Sequence, residues 1–170
     1  MLPGRTSLTG FVPDRRIDWP KEHEPASARV FAQNTIDIAA PPEVVWKLLI
    51  DCGRWPDWYS QCSDVSVLRD GPLLGSTSQF RFKTLGFYFE PEIERYEPFR
   101  LLVWSAKGPA GTSGAHAWYI EPTPSGCHVV TEESQRGMLL SIIGHRTRTR
   151  LLTAHEEWLR SLKVLAETLA

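Results

Sequence analysis

In "NTIDIAA", Ile36 and Ile38 fall on one side of a two-residue alternation while Thr35 and Asp37 fall on the other, the pattern of a half-buried strand. The next stretch, "PPEVVWKLLIDCG", abandons that period. Val45, Trp46, Leu48 and Leu49 recur at spacings of three and four, so a short amphipathic helix is expected. Pro41 and Pro42 suit its first turn, whose amides have no helical partner; Gly53 ends it, and Pro56 forces any continuation into a second short helix. Alternation returns between Asp64 and Gln135 in "SDVSVLRD", "STSQFRFK", "GFYFEPEIERY", "RLLVWSAKG", "SGAHAWYIE" and "GCHVVTEES", read as six further strands. The connections between them, such as "TLG", "EPF" and "PTPSG", are short enough for hairpins. The chain closes on a long helical pattern from about Leu139 to Leu169, in which Leu140, Ile143, Thr147, Leu151, Ala154, Trp158, Leu162 and Leu165 form one stripe.

Turn positions translate into side-chain pairings. A tight turn at Leu85 and Gly86 sets Thr84 opposite Phe87 and Phe82 opposite Phe89, which gathers Phe80, Phe82, Phe87 and Phe89 on one face. A four-residue connection at "TPSG" sets His116 opposite Glu133, Trp118 opposite Thr131 and Ile120 opposite Val129; a one-residue slip would turn Glu132 inward instead. The order strand, two short helices, six antiparallel strands and a long helix gives an α+β domain with the helix on one face of the sheet. Residues 1–27 contain Pro3, Pro13, Pro20 and Pro25 and little periodicity. They read as an arm, either held on the domain through Phe11 and Trp19 or flexible, with the domain proper at 28–170.

Composition narrows the function classes. With 170 residues, 42% of them apolar, the chain is long enough for one domain with a sizeable core. A formal net charge of -1 supplies no field that would attract nucleic acid, and no segment approaches the length of an apolar membrane span. The three cysteines, Cys52, Cys62 and Cys127, show no CxxC spacing and read as structural thiols of a reducing compartment, so a cytoplasmic location is expected.

"IDIAAPPEVVWKLLIDCGRWPDWY", "FRFKTLGFYFEPEIERYEPFRLLVWSAKG" and "GAHAWYIEPTPSGCHVVTEE" together resemble START-like, Bet v 1-like domains of the SRPBCC superfamily, which includes polyketide cyclase/dehydrase-like and lipid-transfer proteins. The resemblance covers about residues 30–169. It implies a helix-grip fold, in which a curved seven-stranded antiparallel sheet wraps the C-terminal helix and leaves an apolar cavity between them. It also implies a ligand that is a lipid, hormone or polyketide, and in some members cyclisation or dehydration chemistry. Within such a fold the helix pair that carries Trp55 and Trp58 would form a V holding the end of the long helix.

The inward alternation faces then supply a candidate lining: Phe80, Phe82, Phe89 and Ile93; Leu102 and Trp104; His116, Trp118 and Ile120; Thr131; and Leu151 and Trp158 from the helix. Among these His116 carries the chemistry, since an imidazole on an apolar wall hydrogen-bonds a ligand carbonyl or hydroxyl, or moves a proton, with Glu133 as its partner. Other constellations are weak. Cys127 and His128 point to opposite faces of a strand, His145 and His155 are separated by about 1000 degrees of helical rotation, and no metal, phosphate-loop or nucleophile-elbow spacing occurs. Arg146, Arg148 and Arg150 read as a solvated face, with a ligand carboxylate or anionic lipid as the sharper alternative. No cofactor or metal is expected. The expected partner is a hydrophobic small molecule, with no nucleic acid and no stable membrane insertion, and the chain is read as a monomer or homodimer. Three roles compete: binding or carriage of that molecule, a polyketide cyclase/dehydrase-type reaction through His116, and a protein-interaction module.

Overall fold

The computed structural model describes residues 12–170; the expected contact through Phe11 lies outside them. Eight antiparallel strands form one sheet: β1 (Val30–Ile38), β2 (Cys62–Arg69), β3 (Gln79–Thr84), β4 (Phe87–Phe89), β5 (Glu92–Glu97), β6 (Leu101–Lys107), β7 (Ser113–Thr123) and β8 (Gly126–Arg136). Seven of them follow the order β1-β8-β7-β6-β5-β3-β2, and β4 pairs with β3 off that path. The run "GFYFEPEIERY" is thus two strands and not one. Pro91 has no N–H to give a ladder, and the chain breaks there to leave β4 as a short flap beside β3.

Helix α1 (Pro42–Ile50) and a 3-10 helix (Cys52–Asp57) separate β1 from β2, and α2 (Leu140–Leu169) closes the chain. α1 opens without a side-chain cap, its first turn preset by proline. It buries Val45, Trp46 and Leu49 against the sheet. The 3-10 helix sends Trp55 fully into the core, where its indole N–H donates to the carbonyl of Leu49 at 3.2 Å. Trp55 meets Phe80, Phe82 and Trp158 edge-on, with centroids 5.1–5.8 Å apart. Tyr59 stacks on Trp158 at 4.4 Å and 9°. The V therefore grips α2 through Trp55 and Tyr59, while Trp58 stays half-buried at its rim.

β7 and β8 form the longest hairpin. Thr123 pairs with Gly126 at its turn, His116 with Glu133, Trp118 with Thr131 and Ile120 with Val129, so Glu132 faces away from α2. Gly126 is required at this corner: its φ is +147°, and a Cβ would stand 2.1 Å from the carbonyl oxygen of Ile38. The sheet face remote from α2 is also covered. Ile17 and Trp19 pack there on Phe31, Leu101, Val103, Tyr119 and Val130. Beneath the same segment Glu132 is fully buried, accepting hydrogen bonds from the amide of Asp14 at 2.8 Å and from the side chain of Gln33.

Candidate functional site

α2 touches the sheet in two different ways along its length. Its later half buries Leu159, Leu162 and Ala166 against the side chains held by the V, with Trp158 at the boundary. Its earlier half rests on β1, where Leu140 and Leu151 pack with Val30 and Ala32, but stands off β3, β6 and β7, and a cavity of about 270 Å³ lies between them. Leu140, Ile143, Thr147, Leu151, Ala154, His155 and Trp158 form the helix wall. Phe82, Phe89, Trp104, Ala106 and His116 face it from the sheet. The lip is marked by lining residues that also reach solvent, namely Phe87, Leu139 and Ile143, with Arg150 beside them. Just outside it, Met138 and Ile142 are 91% and 83% exposed.

Of the residues expected on the wall, Phe82, Phe89, Trp104, His116, Leu151 and Trp158 line the cavity, and Glu133 joins them. Phe80, Ile93, Leu102, Trp118, Ile120 and Thr131 do not. Each shares the inward face, but they sit farther along their strands, where Trp55, Trp46 and the end of α2 close on the sheet. Phe80, Leu102, Trp118, Ile120 and Thr131 are consequently solid core, and Ile93 packs at its edge.

At the inner end the cavity carries three polar side chains from three elements. β7 supplies His116, β8 supplies Glu133 directly opposite, and α2 lowers His155 onto both. The imidazoles of His116 and His155 lie 4.7 Å apart between centroids. His155 Nε2 is 3.2 Å from Glu133 Oε2, and His116 Nδ1 is 3.6 Å from the same oxygen. Two of the three outer atoms are held in turn: His116 Nε2 lies 2.7 Å from the Thr131 hydroxyl, and Gln135 donates to Glu133 Oε1, whereas His155 Nδ1 has no hydrogen-bond partner among the described residues. His116 and His155 are buried, whereas the Glu133 side chain keeps 17% of its surface open toward the cavity. Burial, reinforced by the neighbouring imidazole, pushes His116 down to about 3, so near neutral pH its ring is uncharged. Burial alone would raise Glu133, yet hydrogen bonds, chiefly with His155 and also from Gln135, hold it below the usual carboxylate range.

His155 is the site residue that a scan for spaced histidines misses. Compared with His145 it faces elsewhere, but it stands four residues after Leu151 and three before Trp158, so the inward stripe already contains its position. The arginine run divides as well: Arg148 donates to the carbonyl of Phe31, and Arg150 donates to that of Leu85 at the lip. His128 pairs at the surface with Asp37, 2.7 Å away, and Cys127 is buried on the other face. All three thiols are free and buried, and burial pushes Cys52 and Cys62 up to about 12 and Cys127 to about 11. Among the described residues no helix is long and apolar enough to cross a membrane.

Residues 29–165 match the family model described as polyketide cyclase / dehydrase and lipid transport. The chain belongs to that family. The fold agrees: a hypothetical protein from Helicobacter pylori, jhp0584, superposes with a TM-score of 0.80 over 92% of this chain and 99% of that one, at 24% identity. The di-domain ARO/CYC StfQ from the steffimycin biosynthetic pathway superposes with a TM-score of 0.69 over 82% of this chain and 51% of its own, at 16% identity. In sequence, the uncharacterized protein Rv2574 of Mycobacterium tuberculosis is 23% identical over 107 residues, which is 61% of this chain and 64% of that relative's length. The protein thus has a helix-grip architecture, with its cavity placed under the first half of α2.

Proposed function

We propose that this protein binds a hydrophobic small molecule, lipid-like or polyketide-like, in the cavity between the sheet and α2. The observation that carries the reading is the cavity's construction: about 270 Å³ walled by Phe82, Phe89, Trp104, Leu151 and Trp158, open at one lip, with polar groups confined to the far end. Apolar area removed from water contributes roughly 25 cal/mol per Å², so a ligand that fills such a space gains several kcal/mol from its body. Its one polar end then meets His116, Glu133 and His155, which fixes its direction of entry.

Native mass spectrometry of the protein purified from its own host tests this reading, because a retained ligand adds a defined mass that organic extraction releases. Titration with an environment-sensitive apolar fluorophore gives a second readout through Trp104 and Trp158. Absence of both bound mass and saturable fluorophore binding would refute it.

A polyketide cyclase/dehydrase-type reaction is the second reading, favoured by the His116–Glu133 pair at the cavity's inner end and by the family's description. Binding is preferred to it because an imidazole that holds a proton only near pH 3 is a weak base at neutral pH. The His116 ring then serves better as a hydrogen-bonding group than as a proton carrier.

A further inference from the structure

We infer that His116, Glu133 and His155 form a binding site for one divalent first-row transition-metal ion at the inner end of the cavity. Each offers one ligand atom, and the three atoms lie within 4.8 Å of one another. The separations to Glu133 Oε2 are 3.6 Å from His116 Nδ1 and 3.2 Å from His155 Nε2. Ligands bound tetrahedrally at about 2.0–2.1 Å stand about 3.3 Å apart, so both separations match an edge of that polyhedron. The first of them is also too long for a hydrogen bond, so no proton closes the gap between imidazole and carboxylate.

The contacts around His116 and Glu133 fit the same assignment, while His155 Nδ1 has no partner among the described residues. Metal-bound imidazoles and carboxylates are oriented by hydrogen bonds to their remaining polar atoms. With Nε2–H donating to the Thr131 hydroxyl, His116 leaves its Nδ1 lone pair free, and Gln135 occupies Glu133 Oε1, so that Oε2, whose one hydrogen-bond partner is His155 Nε2 at 3.2 Å, is the oxygen that an ion would take together with that nitrogen. A carboxylate at this depth needs a compensating cation. Among the described residues the only basic side chains within 4 Å of it are the two imidazoles. Two neutral nitrogens and one carboxylate oxygen suit Zn²⁺ or Fe²⁺, and not Ca²⁺ or Mg²⁺, which take oxygen ligands. Since Glu133 and both imidazoles line the cavity, an unfilled coordination position would receive an oxygen of the bound organic molecule, a carbonyl or hydroxyl, and orient it. This last step rests on the ligand-binding reading; metal uptake does not.

The test uses the untagged full chain, stripped with a chelator and then titrated with Zn²⁺ or Co²⁺ without any organic ligand. One equivalent of zinc should survive gel filtration, and the Co²⁺ form should show the visible absorption of a low-coordinate nitrogen/oxygen site. Glu133→Gln and His155→Gln should each weaken uptake at least tenfold, while His128→Gln, which removes a surface imidazole beside Asp37, should leave it unchanged. Absence of stoichiometric zinc and of the Co²⁺ band in the wild-type protein would overturn the assignment, whatever the variants do. Equal uptake by the wild type and a folded Glu133→Gln protein would overturn it as well. Either failure leaves the apolar cavity and its fluorophore titration standing.

Discussion

Replacing Glu132 by glutamine removes a charge from beneath the N-terminal segment and keeps the oxygen that accepts from Asp14 and Gln33. Its side chain leaves β8 on the face opposite the His116 group, and its Oε2 finds no hydrogen-bond partner among the described residues. Burial pushes this carboxyl from its usual 4.5 up to about 7. A group raised in the folded state favours folding fully below its unfolded value, and that contribution is lost as pH climbs through the folded value. The window therefore runs from about pH 4.5 to about pH 7. Across it the wild type should lose about 3 kcal/mol that Glu132→Gln does not lose. The new amide N–H, itself unpartnered, costs something at every pH, so the informative quantity is the change in the difference between the two proteins. Thermal unfolding at pH 4.5 and pH 8.5 measures it: about 3 kcal/mol should appear as roughly 6–12 °C in the relative Tm of the variant at the higher pH. Titrating groups that do not interact with Glu132 cancel in that comparison. A relative Tm that is the same at both pH values, or that falls at the higher one, would refute the reasoning.

Three other substitutions or reactions probe the remaining features. Ile143→Trp places an indole at the cavity lip, and should weaken apolar fluorophore binding at least tenfold while urea unfolding stays within about 0.5 kcal/mol of wild type, as expected for a half-exposed position. Gly126→Ala forces a side chain into the carbonyl of Ile38 at a positive φ, so chemical denaturation should show a loss of about 2 kcal/mol or more. Native protein at pH 8 should react slowly with a thiol reagent, because Cys52, Cys62 and Cys127 are buried and protonated, and all three should react promptly once it is unfolded.

The strand register was legible because two turns declare themselves. Leu85–Gly86 and "TPSG" leave few ways to close a hairpin, and with side chains alternating at period two the positions of Phe82, Phe89, His116 and Glu133 follow from them. What alternation cannot give is distance along the strand at which the helix makes contact. Trp104 and Leu102 share a face on β6, yet Trp104 borders empty space and Leu102 is packed solid. Periodicity likewise puts His155 on the inward stripe but does not say that β7 and β8 bring His116 and Glu133 to meet it, since that depends on the angle at which the sheet wraps α2. The split of β4 from β5 was written in Pro91, in a run whose aromatic content outweighed its one missing amide.

The two halves of α2 also give the molecule a fixed floor and an exchangeable wall. Trp158 is locked between Trp55, Tyr59 and Trp118, so the floor moves only if the whole aromatic cluster moves. Ile143 and Thr147 belong to one face of the same helix and meet the cavity without joining that cluster or the smaller one that Leu140 and Leu151 form with Val30 and Ala32. Exchanging side chains at these two positions would alter the depth and width of the chamber while both packed clusters keep their members. On the proposed ligand-binding reading, the shape offered to the ligand is thus set in part by positions that neither packed cluster uses.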